Sequence, residues 1–271
     1  MKKARKLTTL AAIALLTPAA LLAQEGREAA PRERASQERD AVLRLPNYVR
    51  ARTGPTAFVN DPGGTRLGTV HDYVVDRKTG RILSIAVAVS AESGKSRSHL
   101  VPWDRFAWDD AEHELRLRMA AEEIENLPIY EPSHAKAGER GKPQDGAMKK
   151  ADMHQVASSE TVGTKVVVDR KPIASVSELL LETRTGVVAF ALAAPPEKQT
   201  DPLLVPWQAM SWDKAGEGEP SKLRLSIETE KLDRAPRLEE GNVKMLENTD
   251  FLREVYAFYG LMVPPGLGTE G

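Results

Sequence analysis

The hydrophobic residues of this chain occur mostly in short runs of β-branched side chains separated by turn residues. Two such runs, 70–76 and 82–89, are joined by the turn 77–80, which ends in glycine. A second pair of runs, 176–181 and 187–192, is joined by a similar turn. Runs of this length around a turn that ends in glycine predict β-hairpins. The pattern therefore predicts an all-β, or mainly β, fold class.

Further elements are indicated on both sides of each predicted hairpin. A strand at 58–59 leads into a turn at 60–64, and 166–171 is its counterpart in the second half. Short helical stretches are predicted at 120–126 and 229–233. Each of them ends before a proline, and the residue that precedes a proline disfavours helical backbone.

The two halves of the chain are copies of one pattern. An acidic turn ends in Thr79-Gly80 in the first half and in Thr185-Gly186 in the second. The sequence Leu-Val-Pro-Trp occurs at 100–103 and 204–207, Trp-Asp at 108–109 and 212–213, and Leu-Arg-Leu at 115–117 and 223–225. All four tryptophans therefore occupy equivalent positions. Because the length differences lie in turn-like intervals, we expect both copies to share one fold.

The first 23 residues have the features of a secretory signal peptide. Four cations precede an apolar run at 10–16, and small or apolar residues lead up to Ala23, after which we expect cleavage. The run is too short for a comfortable membrane span. We therefore expect a periplasmic or secreted protein. The alternative is an uncleaved N-terminal segment that anchors the protein in the membrane, facing the periplasm.

Two polar segments divide the rest of the chain into domains. Residues 24–52 are predicted to be a disordered charged tether, and residues 132–156 have the composition of a linker. They delimit a first repeat at 53–131, and the second repeat follows at 157–238. A C-terminal helical segment is assigned to 239–263.

The order of these motifs resembles the PRC-barrel family. A glycine precedes an acidic strand at 68–76, and the Thr-Gly hairpin, Val-Pro-Trp and a proline-closed tail follow, with the order present twice. That family includes the globular domain of the reaction-centre H subunit and the C-terminal domain of a ribosome maturation factor. The resemblance implies two tandem small antiparallel β-barrels. The second copy departs from the pattern, since Ala174 stands at the position of Gly68.

A small barrel of this size needs additional cover. Domains of about 60–80 residues bury only about 60% of their unfolded surface and are marginal alone. We therefore expect the two barrels to pack together as an intramolecular pseudo-dimer, and a homo-oligomer is a further option. Phe251, Val255 and Phe258 recur at helical spacing, with Asp250 as the predicted N-cap and Gly260 as the residue after the helix. This helix is expected to cover a barrel face or the groove between the barrels.

The sequence contains little that indicates chemistry. The absence of cysteine excludes disulfides and thiol nucleophiles. Loss of the cationic signal changes the net charge from −1 to −5, which argues against nucleic acid as a partner. The five histidines have no metal-ligand spacing, and no nucleophile elbow or dinucleotide fingerprint occurs. We predict no catalytic, cofactor-binding or metal site, and no enzymatic activity.

The aromatic residues are the candidate interaction residues. The tryptophans are expected either to plug the barrel ends or to form an aromatic patch for a protein or small ligand. The residues of this predicted surface are Trp103, Trp108, Trp207, Trp212, Tyr256 and Tyr259.

These observations favour an exported, non-enzymatic PRC-barrel protein that acts as a protein-interaction or scaffold module in the cell envelope. Its partner is expected to be an envelope protein, and contact with the membrane is expected only through an uncleaved N-terminal segment. One alternative is a ligand- or ion-binding sensor domain. Another is a membrane-anchored assembly factor like the reaction-centre H subunit.

Overall fold

The computed structural model describes residues 48–51, 57–90, 96–109, 114–131, 154–196, 201–213, 221–239 and 242–267. The predicted signal peptide at 1–23 lies outside the described residues. So do residues 24–47 of the predicted tether and most of the predicted linker.

Each repeat forms one sheet that curls into a half-barrel. The strands of the first repeat are β2 (Ala57–Asn60), β3 (Arg66–Asp76), β4 (Ile82–Ser90), β5 (Ser96–Pro102), β6 (Phe106–Asp109) and β7 (Glu114–Leu117). Those of the second are β9 (Lys165–Val168), β10 (Lys171–Glu182), β11 (Val187–Ala194), β12 (Leu203–Pro206), β13 (Met210–Asp213) and β14 (Lys222–Leu225). The mainly β fold class predicted from the sequence is confirmed.

The two sheets have the same strand order, β5-β4-β3-β2-β7-β6 and β12-β11-β10-β9-β14-β13. The sequence led us to expect wholly antiparallel sheets, but each sheet contains one parallel pair of strands. β2 pairs with β7 in parallel, and β9 pairs with β14 in parallel. The chain passes from β5, at one end of the strand order, to β6 at the other end, and the β6-β7 hairpin then places β7 beside β2. A short 3₁₀ turn follows Val-Pro in each copy, Trp103–Arg105 and Trp207–Ala209.

The repeats exchange one strand each. β1 (Tyr48–Ala51) precedes the first repeat but pairs with β10 of the second. β8 (Gln155–Ala157) precedes the second repeat and pairs with β3 of the first. The registers are equivalent, because Tyr48 is opposite Glu182 and Gln155 is opposite Asp76. Residues 48–51 are therefore a strand and not part of a disordered tether, and β8 begins within the predicted linker.

The hairpin ends lie on an approximate two-fold axis. Arg81 and Val187, which are equivalent in the repeat, face each other across a β-bridge. The amide of Ile82 donates to the carbonyl of Gly186 at 2.8 Å, and the amide of Val188 donates to the carbonyl of Gly80 at 2.8 Å. One continuous hydrophobic cluster contains buried residues of both repeats. The repeats are thus joined through backbone pairing and through a shared core.

Helical elements are short, apart from the last. Besides the two 3₁₀ turns after Val-Pro, they are α1 (Ala121–Ile124), α2 (Ser158–Thr161), two further 3₁₀ segments (Thr229–Arg234 and Val243–Glu247) and α3 (Thr249–Phe258). The predicted helical stretch at 229–233 is therefore 3₁₀. None of the helices among the described residues has the length and apolar character needed to cross a membrane.

Helix α3 covers the outer face of the second sheet. Its Leu252, Val255 and Tyr256 are buried, and they share a cluster with Phe190 of β11 and Tyr48 of the exchanged strand β1. The first repeat has no comparable helix over that face among the described residues. There the smaller Val74, Ala86 and Leu100 form a separate cluster with Tyr130.

The helix termini differ in part from those expected from the sequence. Asn248, and not Asp250, is the N-cap, since its side chain accepts hydrogen bonds from the amides of Asp250 and Phe251. At the other end Gly260 has φ of 69°, and the amides of Gly260 and Leu261 donate to carbonyls of the last turn. This is a Schellman ending with glycine at C′, as predicted.

Candidate functional site

The turn glycine of each repeat packs against a tryptophan of the other repeat. Gly80 and Gly186 have φ of 75° and 66°, a conformation that suits glycine. A Cβ atom on Gly80 would lie 2.7 Å from Cδ1 of Trp207, and one on Gly186 would overlap the indole of Trp103. The Thr-Gly motif of each repeat therefore packs against the Val-Pro-Trp motif of the other repeat.

The tryptophans differ in exposure despite their equivalent positions. Trp207 is 2% exposed and belongs to the core. Trp103, Trp108 and Trp212 are half-buried and pack against the edge of that core. Trp103 stacks on Phe106, with 6.3 Å between the ring centroids. One indole therefore fills the core, and the other three are partly accessible at its edge.

A pocket of about 270 Å³ opens beside the half-buried tryptophans of the first repeat. We call it the seam pocket, because its wall comes from both repeats. Its principal lining residues are Trp103, Phe106, Trp108 and Arg118 of the first repeat and Thr183 and Arg184 of the second. The pocket combines an aromatic surface with two cationic side chains.

The equivalent place in the second repeat is occupied by the protein itself. There the guanidinium of Arg77 lies over the ring of Trp212, 4.7 Å from its centroid. Arg77 corresponds in the repeat to Thr183, which is too short to reach across a tryptophan in this way. The two otherwise equivalent places therefore differ because one turn carries arginine and the other carries threonine.

Two cations, Arg118 and Arg184, line the seam pocket. Arg118 is exposed, and its side chain makes no ion pair with any residue that the structure describes. Its backbone amide donates to the carbonyl of Arg105 at 2.8 Å. The nearby carboxylate of Glu182 accepts hydrogen bonds within its own turn, from the amides of Arg184 and Thr185.

The comparisons with known proteins agree with the architecture. Residues 59–114, from β2 to the start of β7, match the model of the PRC-barrel domain family. The first repeat is a PRC-barrel domain. Trp103, Phe106 and Trp108 of the seam pocket lie within the matched residues. No curated protein was found to match the chain.

The two predicted tyrosines, Tyr256 and Tyr259, lie away from the seam pocket. Tyr256 is buried against Phe190, with 5.6 Å between ring centroids, and Tyr259 is half-buried. Burial raises the pKa of both hydroxyls above the ordinary tyrosine value. Tyr259 and Phe258 line a separate, wider groove against the 3₁₀ segment at 229–234. The structure thus brings Trp103 and Trp108 together but does not bring the tyrosines to them.

Buried carboxylates attach the exchanged strands to the two barrels. Asp72 of the PRC-barrel domain accepts hydrogen bonds from the hydroxyls of Ser158 at 2.6 Å and Tyr130 at 2.6 Å, and also from Ser159. Its equivalent, Glu178, forms an ion pair of 2.9 Å with Arg50 of β1. Burial, and then the charge of Asp72, raises the pKa of Tyr130.

The histidines of the PRC-barrel domain make isolated contacts. His71 Nδ1 lies 3.0 Å from the hydroxyl of Ser98, and His99 Nδ1 lies 3.1 Å from the carbonyl of Leu127. The described ranges contain no group of three or more acidic or histidine side chains arranged to hold a metal ion.

The sequence indicated the two tryptophans of the seam pocket and missed its other lining residues. Phe106, Arg118, Thr183 and Arg184 were not among the predicted interaction residues. A signal was present in the repeat itself, because aligning the two turns places Thr183 opposite Arg77. Its meaning depended on knowing that each turn packs against the tryptophans of the other repeat.

Proposed function

We propose that this protein is exported and acts as a non-enzymatic protein-interaction or scaffold module in the cell envelope. The observation that carries the proposal is the seam pocket, an opening with aromatic and cationic walls between two repeats that otherwise interlock. Aromatic and arginine side chains are enriched where proteins bind one another. The signal-like pattern at 1–23 supports export.

The architecture suits a scaffold because its binding surface is held from both sides. The reciprocal pairing of β1 and β8 fixes each repeat to the other. Side chains on strands and tight turns are positioned more rigidly than side chains on long loops, which lowers the entropic cost of binding. A partner would therefore meet a surface that is already formed.

The proposal is tested by crosslinking in intact cells followed by purification through a C-terminal tag. We expect one envelope protein to be recovered in stoichiometric amount. A matched control lacks residues 2–23 and stays in the cytosol, where it should recover no such partner. Repeated recovery of the protein alone from the crosslinked envelope would contradict the scaffold function.

Export is tested separately, by fractionation and N-terminal sequencing. The periplasmic or secreted form is expected to begin at Gln24, after cleavage behind Ala23. An intact N-terminus in the cytosolic fraction would contradict export and with it the envelope function.

The volume of the seam pocket favours one alternative, a sensor of small ligands. At about 270 Å³ the pocket is just below the usual range for small-molecule sites. A ligand that binds only the folded state raises the melting temperature. A screen of envelope metabolites and ions at millimolar concentration should therefore give a concentration-dependent rise for the sensor, and a flat screen would contradict it.

A further inference from the structure

The surroundings of Trp212 in the second repeat and of Trp108 in the first differ in one covering side chain. In the second repeat Arg77 covers Trp212 and closes the place with a side chain of the protein. In the first repeat Thr183 stands at the position of Arg77, and the seam pocket is open. A side chain of the protein therefore covers the tryptophan at one place, and no arginine does so at the other.

The cations are arranged differently at the two places. Arg118 and Arg184 are exposed and line the seam pocket. At the equivalent place the corresponding residues are Ser226 and Lys78, and the second cation is Arg77, which lies over Trp212. In the seam pocket both cations are guanidinium groups at an open wall. They favour a carboxylate, which arginine binds with paired and charge-assisted hydrogen bonds.

The wall of the pocket also contains an unused polar group. Thr183 is 5% exposed, and its buried hydroxyl oxygen has no hydrogen-bond partner among the residues that the structure describes. A buried hydroxyl without a partner has a free-energy cost that an arriving oxygen atom would remove. The indoles of Trp103 and Trp108 beside it offer apolar surface to the methylene groups of a side chain.

We propose that the seam pocket binds a carboxylate side chain on an acidic segment of the partner protein. This inference rests on the proposed scaffold function and names the chemistry of the partner. The carboxylate lies between Arg118 and Arg184 and accepts a hydrogen bond from the Thr183 hydroxyl, while its stem packs on the tryptophans. A volume of about 270 Å³ is large enough for a carboxylate side chain.

The experiment measures binding of a fluorescein-labelled hexaglutamate peptide to the mature full chain by fluorescence anisotropy. We expect saturable binding that weakens as ionic strength rises, because salt screens the partly exposed arginines. A hexaglutamine peptide of the same length should not bind. Free glutarate distinguishes a small acid from a peptide, and it should compete only at far higher concentration.

Two variants locate the binding. Arg118→Gln with Arg184→Gln should weaken hexaglutamate binding by about tenfold, since each of the two exposed charge contacts contributes about threefold to fivefold. Thr183→Arg copies the second repeat and should abolish binding by filling the pocket. Arg234→Gln removes one exposed arginine elsewhere and should leave the affinity unchanged. Far-ultraviolet circular dichroism and melting curves establish that each variant is folded.

The outcomes separate this inference from the proposed function. Absence of hexaglutamate binding, or equal binding by the folded double variant, overturns the acidic-segment proposal even if crosslinking recovers a partner. Binding that depends on both arginines supports the inference, even if crosslinking recovers no partner and the scaffold function fails. Glutarate that binds as tightly as the peptide overturns the peptide proposal in favour of a small acid.

Discussion

The contact between turn glycine and tryptophan makes single residues of one repeat essential to the other. Gly186→Ala would place a methyl group into the indole of Trp103 and would keep φ at 66°. Left-handed backbone costs an alanine about 1–2 kcal/mol, and overpacking costs about 1–3 kcal/mol. We expect the free energy of unfolding to fall by about 2–4 kcal/mol in denaturant titrations.

Gly260→Ala is the matched control for this substitution. Gly260 also has positive φ, at 69°, but a Cβ atom there would have no neighbour within 4 Å. The control should therefore lose only the backbone contribution, about 1–2 kcal/mol. Equal losses for the two variants would show that the tryptophan contact does not matter.

The turn carboxylate Asp76 should titrate below an ordinary aspartate. It accepts hydrogen bonds from the amide of Thr79 at 2.7 Å and from its hydroxyl at 2.7 Å, and these bonds lower the pKa of Asp76. The ionised Asp76 carboxylate stabilises the fold fully above the pKa that Asp76 has in the unfolded chain. This stabilisation is lost as the pH falls through the lower pKa that Asp76 has in the folded protein. Thr79→Val should raise the pKa, as measured by NMR titration. An unchanged titration would contradict this assignment.

At the scale of elements, the start of helix α3 depends on one residue. Asn248 accepts two amide hydrogen bonds of the first turn, at 2.9 and 3.1 Å. Asn248→Ala should therefore reduce stability by about 1 kcal/mol in thermal or denaturant unfolding. Asp250→Ala removes only a first-turn charge and an exposed ion pair with Arg253, so its cost should be smaller. The reverse order would favour the cap expected from the sequence.

The exchanged strand β1 depends on a buried ion pair. Arg50 and Glu178 lie 2.9 Å apart, and their side chains are 11% and 4% exposed. Arg50→Met leaves Glu178 buried without its cation and should reduce the free energy of unfolding by about 3–5 kcal/mol. The double variant Arg50→Met, Glu178→Leu should recover most of this loss, because both charges are gone. A double variant as unstable as the single one would contradict this account.

For the whole molecule, strand exchange predicts that the repeats unfold together. The second sheet contains β1, which precedes the first repeat, and the first sheet contains β8, which precedes the second. One hydrophobic cluster includes residues of both repeats. We expect tryptophan fluorescence and far-ultraviolet circular dichroism to report one coincident transition. Two separate transitions would mean that each PRC-type barrel is stable without the strand supplied by the other repeat.

Local sequence patterns were enough to predict the main hairpin strands, their turns and the duplication. Alternating or β-branched runs, glycine at the turns and the recurring tryptophans are local patterns, so they can be recognised without coordinates. The match of 59–114 to the PRC-barrel family follows from the same residues. The tryptophans also indicated half of the seam pocket, because sparse aromatic residues at equivalent positions limit where such a surface can lie.

Only the tertiary structure decided which parts meet. Tyr48–Ala51 is too short to give a strand signal, and its partner Lys171–Glu182 lies in the other repeat, so its pairing is non-local. The difference between Arg77 and Thr183 became meaningful only when each turn was found beside the tryptophans of the opposite repeat. The seam pocket exists because folding brings together residues that no pattern along the chain connects.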